Sequence, residues 1–349
     1  MRTGMPDAGT SIGAFDYDLP EAAIAQHPVE PRDAARLLVD GGPDQAATHR
    51  HVRDLPELLG PGDVLVVNDS RVRPARLALR KATGGAVEVL LLDRVGDGEW
   101  EALVRPGRRV APGTPLGFAG DPAGEPLVVV GDPLGEGRRR VRLLRPEAEV
   151  LAAADLALPP YIHEPLADPE RYQTVFADRP TSVAAPTAGL HLTEPLLERC
   201  RAAGARVEPV ELSVGLGTFR PITVDDVARH QMHTERYVVP ETTMAACRAA
   251  RRVVAVGTTT VRALESAAAT GRLEGSTDLY LRRGHRFAVV GALLTNFHVP
   301  RSSLLVLVDA FVGARWRTLY EVARADGYRF LSFGDAMFLP GPPLAGGTR

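Results

Sequence analysis

Cysteine is nearly absent from this 349-residue chain: Cys200 and Cys247 are the only two, each among Arg and Ala in helix-patterned segments, with no second Cys or His at metal-ligand spacing. That argues against a disulfide framework and against a structural metal site. Lysine is scarcer still, Lys81 being the only one among 41 basic side chains; this arginine usage reflects a GC-rich genome as much as a preference for bidentate phosphate contacts. With a formal net charge of −2 there is no overall basic field, so any nucleic-acid contact has to come from local patches. Long apolar runs are missing too. The longest, Ser302 to Gly313, is too short for a bilayer span of roughly 20 residues and carries Asp309, which makes it a buried helix. The first twenty residues hold one early Arg and no apolar h-region, unlike a secretory signal, so a cytoplasmic protein with no membrane partner is expected.

What is present is ordinary globular material, 45% hydrophobic and 24% charged, in a chain about twice the usual single-domain length. From Asp63 to about Leu144 short alternating strands (DVLVVN, ARLALRK, AVEVLLL, EWEALV, EPLVVV, RRVRLL) are separated by turn segments such as TGG, GDG and GDPLGEG. On either side helical patterns alternate with strands. The expected fold is an α/β domain formed by both chain ends, 1–62 and 155–340, with an inserted all-β small barrel, 63–154, and a flexible Pro/Gly-rich tail, 341–349.

Four segments carry groups suited to chemistry. SVAAPTAGLHLTEPLL delivers His191 through a small-residue turn to a helix with Thr193 as N-cap and Pro195 in its first turn; it is either a general acid or base or a packing histidine. VELSVGLGTFRP runs a strand into Gly215 and Gly217, whose missing side chains permit positive φ and exposed amide groups, and HQMHTERY sets His233 and Glu235 two apart, on one face if extended. VVAVGTTTVRALESAAATG gives a buried strand, a Gly257 turn, the threonines Thr258, Thr259 and Thr260, and a helix stopped by Gly271; its start suits an anion, and Arg262 and Glu265 are expected on one face. ALLTNFHVPRSS places Thr295, Asn296 and His298 at a strand end before a helix capped by Ser302. Several polar strand-to-helix junctions in one domain suggest an active site.

These segments, in this order, together with FDYDLPEAAIAQHPVEPRDAARLLV (Phe15 to Val39), PGDVLVVNDSRVRPARL (Pro61 to Leu77), LPPYI, RYQTVFA and YRFLSFGDAMFL (Tyr328 to Leu339), resemble the S-adenosylmethionine:tRNA ribosyltransferase-isomerase family of the queuosine pathway. The resemblance covers nearly the whole chain, Asp121 to Gly137 being least alike. It implies a monomer that uses S-adenosylmethionine as co-substrate, without metal or redox cofactor, and tRNA carrying 7-aminomethyl-7-deazaguanine at the wobble position, giving epoxyqueuosine with release of adenine and methionine. The sulfonium acidifies the C5′ hydrogens, so a base of ordinary strength is enough to begin the reaction, and the nucleophile belongs to the substrate. The residues proposed for proton transfer are His191 and His298, with His233 and Glu235 second. Those proposed to hold nucleoside, methionine or RNA are Asn68, Asp69, Arg71, Thr187, Gly257, Thr258, Thr259, Thr260, Arg262, Glu265, Asp278, Thr295 and Asn296. The arginine-rich stretches Arg71 to Lys81, Arg105 to Arg109 and Arg138 to Arg145 are either phosphate contacts or solvated strand faces.

The chain departs from the family pattern at four places. Ser213 stands where a histidine is expected, Arg282-Arg283 where an apolar-Pro pair is usual, Gly291 for an aspartate and Asp309 for a serine. Ser213 and Gly291 motivate one alternative, a diverged relative doing the same sulfonium chemistry on a small-molecule amine; a second, from another class, is a non-catalytic RNA- or nucleotide-binding protein on the same scaffold.

Overall fold

A computed structural model describes residues 11–118, 125–135, 137–215 and 222–341. The contacts divide the chain into two compact units, Met1–Arg71 with Pro159–Arg349, and Val72–Leu158.

The larger unit is built on a nine-stranded mixed sheet of β1 (Arg36–Val39), β2 (Thr48–His51), β3 (Asp63–Asn68), β4 (Arg206–Leu212), β5 (Glu235–Val238), β6 (Arg252–Val256), β7 (Glu274–Thr277), β8 (Ala292–Asn296) and β9 (Ala336–Pro340). Their order is β7-β5-β4-β3-β6-β8-β9-β1-β2. The four neighbours β4, β3, β6 and β8 run parallel. β3 is buried at all six positions, as a parallel strand covered on both faces must be. Its alternate side chains enter opposite cores: Val64 and Val66 pack with Val253, Ala255 and Leu293, whereas Leu65 and Val67 pack with Val254, Val256 and Leu294.

This placement corrects the expected limits of the inserted block. The run DVLVVN belongs to the middle of the large sheet, and the smaller unit begins at Val72 and ends at Leu158 rather than at 63 and 154. A short continuous apolar strand looks the same in either setting. What decides is its pairing with Arg206–Leu212 and Arg252–Val256, well over a hundred residues away in sequence.

Helices α1 (Glu194–Ala202), α2 (Glu241–Ala249), α3 (Thr258–Thr270), α4 (Ser303–Val312) and α5 (Trp316–Ala325) complete this unit. Their ends follow local chemistry. Thr193 Oγ1 accepts the Leu196 N–H at 3.2 Å, Ser302 Oγ accepts that of Leu305 at 3.2 Å, and Gly271 closes α3 with φ 67°. Among the described residues no helix is long and apolar enough to cross a membrane. Cys200 and Cys247 are buried free thiols, pushed up to about 11 and about 12 by burial.

In the smaller unit six antiparallel strands lie in the order 76–80, 86–96, 99–105, 138–143, 128–135, 114–116. The first and last meet just past their ends, where Arg80 N donates to Gly117 O at 2.8 Å and Gly117 N to Arg80 O at 3.1 Å, so the sheet nearly closes into a barrel. Leu77, Leu79, Val87, Val89, Ala102, Val104, Val128, Val130, Val141 and Leu143 fill its inside. Arg139 is buried there as well, and its guanidinium is spent on the carbonyl oxygens of Gly131, Gly107 and Val110. The Pro/Gly-rich tail from 342 onward lies outside the described residues.

Candidate active site

The four parallel strands end on one edge of the large sheet, at Leu212, Asn68, Val256 and Asn296. Ligands of open α/β sheets bind at such an edge, because the strand-to-helix turns there expose backbone groups. A cleft open to solvent lies at this edge. Its walls come from distant segments: Ala185 to Ala188, Val214, Gly257 to Thr259, and Thr295 to Val299, joined by Tyr161, Leu304, Leu331 and Ser332.

At the foot of the cleft β6 turns at Gly257, whose φ of 87° and ψ of 154° suit a residue without Cβ, directly into α3. Thr258 and Thr259 sit on the first turn of that helix, where backbone N–H groups have no helical acceptor and the dipole favours an anion. Thr260, beside them, is turned inward and donates to Val256 O at 2.7 Å. β8 brings Thr295, Asn296 and His298 to the opposite wall. His298 Nε2 is 3.0 Å from Thr295 Oγ1, its N–H donates to the Tyr320 hydroxyl at 2.9 Å, and its carbonyl accepts the Tyr17 hydroxyl at 2.5 Å. Burial pushes the ring down to about 3, so it is neutral at physiological pH, with one nitrogen able to accept a proton.

His191 is placed differently. It closes the short turn Thr187–His191, whose first residue lines the cleft, but it also lines a separate small pocket with Arg32, Arg171 and Phe333. Burial first, then the charges of Arg329, Arg32 and Arg171, push it down to about 4. Its Nε2 is 3.0 Å from Asn296 Nδ2.

Other residues named from sequence are turned away from the cleft. Glu235, at the start of β5, is buried against Arg262 and accepts the Gly215 N–H at 3.1 Å; His233 is half-buried just ahead of that strand. Arg262 also donates to Leu279 O, and burial lowers it to about 10. Glu265 does not share Arg262's surroundings: it accepts the N–H groups of Ala288, Val289 and Val290 at 2.8 to 2.9 Å, pinning that loop to α3. Asp278 is exposed, and Arg71 is paired with Glu170 at 2.5 Å. Asn68 is a buried tie between strands that touches the cleft only through Thr259. Asp69 lies outside the lining; burial, and after it Glu211, raises its carboxyl to about 6. Gly215 does not take a positive φ, its amide being used by Glu235, and Gly217 lies outside the described residues.

Among the cleft residues without a functional reading from sequence are Tyr161, Leu331 and Ser332. Tyr161 and Ser332 join hydroxyls at 2.7 Å across the wall. Leu331 has φ 71°, a conformation disfavoured for a side chain of its kind, at a tight turn closed by Gly334. A Cβ on Gly334 would lie 2.4 Å from Arg329 O, so only glycine fits. The segments LPPYI and YRFLSFGDAMFL carried the signal, yet apolar spacing gives no hint that they meet.

The departures also find places. Arg283 and Asp309 form a pair, at 3.1 and 2.6 Å, with Trp316 Nε1 also donating to Asp309 at 3.2 Å, so two of the substitutions match each other. Gly291 precedes β8, at the end of that strand remote from the cleft. Ser213 follows β4 beside the cleft residue Val214; its N–H donates to Arg236 O at 2.9 Å, and its Oγ is 3.5 Å from Glu211 Oε1.

Fold and cleft together define an α/β protein with a site at the carboxyl ends of its parallel strands, where a few polar side chains converge among apolar ones. The chain belongs to the queuosine biosynthesis protein family, whose model matches residues 12–339. Proteins called S-adenosylmethionine:tRNA ribosyltransferase-isomerase are similar to it: that of Rubrobacter xylanophilus is 52% identical over 94% of this chain and 97% of its own, and that of Thermus thermophilus 51% over 94% and 99%. A crystal structure of the S-adenosylmethionine tRNA ribosyltransferase from Thermotoga maritima matches with a TM-score of 0.53 at 37% identity, covering 93% of this chain and 99% of that one.

Proposed function

We propose that this chain, acting as a cytoplasmic monomer, transfers and isomerises the ribosyl moiety of S-adenosylmethionine onto 7-aminomethyl-7-deazaguanine at the tRNA wobble position, giving epoxyqueuosine and releasing adenine and methionine. Relatives about half identical over nearly the whole chain carry the name of that activity. The observation that carries the reading is the convergence of Thr187, Gly257, Thr258, Thr259, Thr295, Asn296 and His298 in one cleft.

In this reading the N-terminus of α3 takes the methionine carboxylate, which its free N–H groups and dipole favour. His298 takes the C5′ proton. That transfer leaves an ylide, positive at sulfur and negative at C5′, and moves one unit of net charge from the ligand to the imidazole, so the net charge buried in the cleft is unchanged. Elimination of adenine then opens the ribose to the aminomethyl nitrogen. Phosphate contacts come from one end of the six-stranded unit. On its strand faces Arg76, Arg138 and Arg140 are paired with Glu88, Glu101 and Glu99, but Arg80, Lys81, Arg108 and Arg109 have no acidic partner among the described residues, and Lys81 Nζ donates to Arg109 O.

Incubation of the purified chain with S-adenosylmethionine and an anticodon stem-loop bearing the precursor base, followed by chromatography of adenine, tests this. Adenine release that requires the RNA, with an RNA KM that climbs steeply between about 50 and 200 mM salt, is expected. Release with a small amine and no RNA would replace it by the small-molecule reading, for which Gly291, remote from the cleft, supplies no argument. No release with any acceptor would leave a binding protein.

A further inference from the structure

Two buried asparagines fix the direction in which the hydrogen bonds of the cleft run. Asn296 Nδ2 is 3.3 Å from Leu331 O and 3.0 Å from His191 Nε2. A carbonyl only accepts, so the nitrogen end of this amide faces both groups, and His191 Nε2 must carry no proton. The amide oxygen is left towards Thr187 Oγ1 at 3.0 Å and, being only an acceptor, obliges that hydroxyl to donate. Thr187 therefore shows the cleft lone pairs and no proton.

Asn68 does the reverse on the other wall. Its Oδ1 accepts the N–H groups of Ser70 and Leu212, both at 3.1 Å, which leaves Nδ2 to donate to Leu212 O at 3.0 Å and to Thr259 Oγ1 at 3.2 Å. The oxygen of Thr259 is thus engaged as an acceptor and its own proton stays available. Asn68 is tied to backbone groups at both ends of its amide, whereas Asn296 is held at its nitrogen by Leu331 O and His191 and at its oxygen by Thr187.

We propose that His191 is a positioning residue, which through Asn296 holds Thr187 as an obligate acceptor while Asn68 sets Thr259 as a donor, so that the bound nucleoside must offer an N–H or O–H to the first and a lone pair to the second. The proposal rests on the reading of S-adenosylmethionine as the ligand and gives a role to a histidine that faces the smaller cavity rather than the substrate. Deprived of the Nε2 lone pair, Asn296 keeps only the longer bond to Leu331 O to hold its oxygen towards Thr187, and the polarity of that wall is less firmly fixed.

The test compares His191→Gln, whose side-chain oxygen accepts from Asn296, with His191→Leu, which cannot. Expected are a kcat for adenine release within about threefold of wild type for both, and a KM for S-adenosylmethionine near wild type for Gln but raised about tenfold or more for Leu, the size of one lost hydrogen bond. Thr187→Val should raise KM similarly, and the Thr187→Val, His191→Leu double variant no further. A kcat lost equally in both His191 variants by about a hundredfold or more would make His191 a proton carrier and overturn the proposal. Should His191→Leu fail to fold, nitrogen NMR of the wild-type imidazole decides: an unprotonated Nε2 at pH 7 supports the assignment and a protonated one sinks it. Wild-type protein that releases no adenine would defeat the functional reading alone, the NMR measurement and the affinity for S-adenosylmethionine still reporting on the network.

Discussion

At the scale of single residues, two histidines at similar junctions part company by what their rings face. His298 opens onto the cleft with a threonine at its Nε2, and His191 is held behind Asn296. His298→Gln keeps a partner for Thr295 but cannot carry a proton, so kcat for adenine release should fall by about 10²- to 10⁴-fold with little change in the KM for S-adenosylmethionine. Steady-state kinetics checks this, and a kcat near wild type would remove His298 from the chemistry. A second residue-scale expectation concerns the matched pair of departures. Asp309 is 2% exposed and its partner Arg283 57%, so the pair is only partly buried. Arg283→Leu strands the carboxylate with Trp316 alone and should cost about 2 kcal/mol, below the 3–5 of fully buried pairs. Asp309→Ser should cost less, and the double variant should recover most of the loss in urea unfolding, a coupling that two independent sites would not show.

At the scale of elements, α3 shows how a turn places a site. Its start was legible in VGTTT because only glycine suits the reversal between a buried strand and a helix that begins at once. An added Cβ at Gly257 would meet Ala188 Cβ at 3.5 Å and Thr259 Oγ1 at 3.6 Å, ordinary contacts, so the penalty of Gly257→Ala is one of backbone conformation. A loss of about 1–2 kcal/mol in denaturant unfolding is expected, with weaker binding of S-adenosylmethionine as the first turn shifts. The later turns of the same helix were not legible. Arg262 and Glu265, one turn apart, have separate partners, the side chain of β5 and the amide groups of the 288–290 loop. Helical spacing says which side chains are neighbours on a surface; it does not say what the other elements bring against them.

At the scale of the whole molecule, burial of uncharged imidazoles couples stability to acidity. His191 and His298 have an ordinary value of 6.5 when unfolded and are lowered to about 4 and about 3 when folded. The unfolded chain therefore takes up protons first, so stability is fully present above about pH 6.5 and is lost as pH falls towards 4. Each histidine contributes a slope of about 1.4 kcal/mol per pH unit. Asp69, raised to about 6, opposes them between its ordinary range and that value, by less than a full group because it is partly exposed. The unfolding free energy of the wild type, from urea melts at pH 7, 6 and 5, should fall by at most about 1.4 kcal/mol over the first unit and more steeply, by up to about 2.3 kcal/mol, over the second, and His298→Gln should flatten it. Stability constant from pH 7 to 5 would contradict the burial of both rings.

The sequence by itself determined the periodicities, the turns and caps, and the class of groups delivered to strand ends, because these depend on neighbours within a few residues. Thr193, Ser302, Gly257 and Gly271 act locally and were readable for that reason. Only the tertiary structure decided that DVLVVN joins the large sheet, that His191 faces a second cavity, that Arg283 meets Asp309, and that Tyr161 and Ser332 complete the cleft. Each of those outcomes is a contact between segments far apart in the chain, and a contact of that kind is set by strand pairing and by which face of an element is buried, neither of which a local pattern contains.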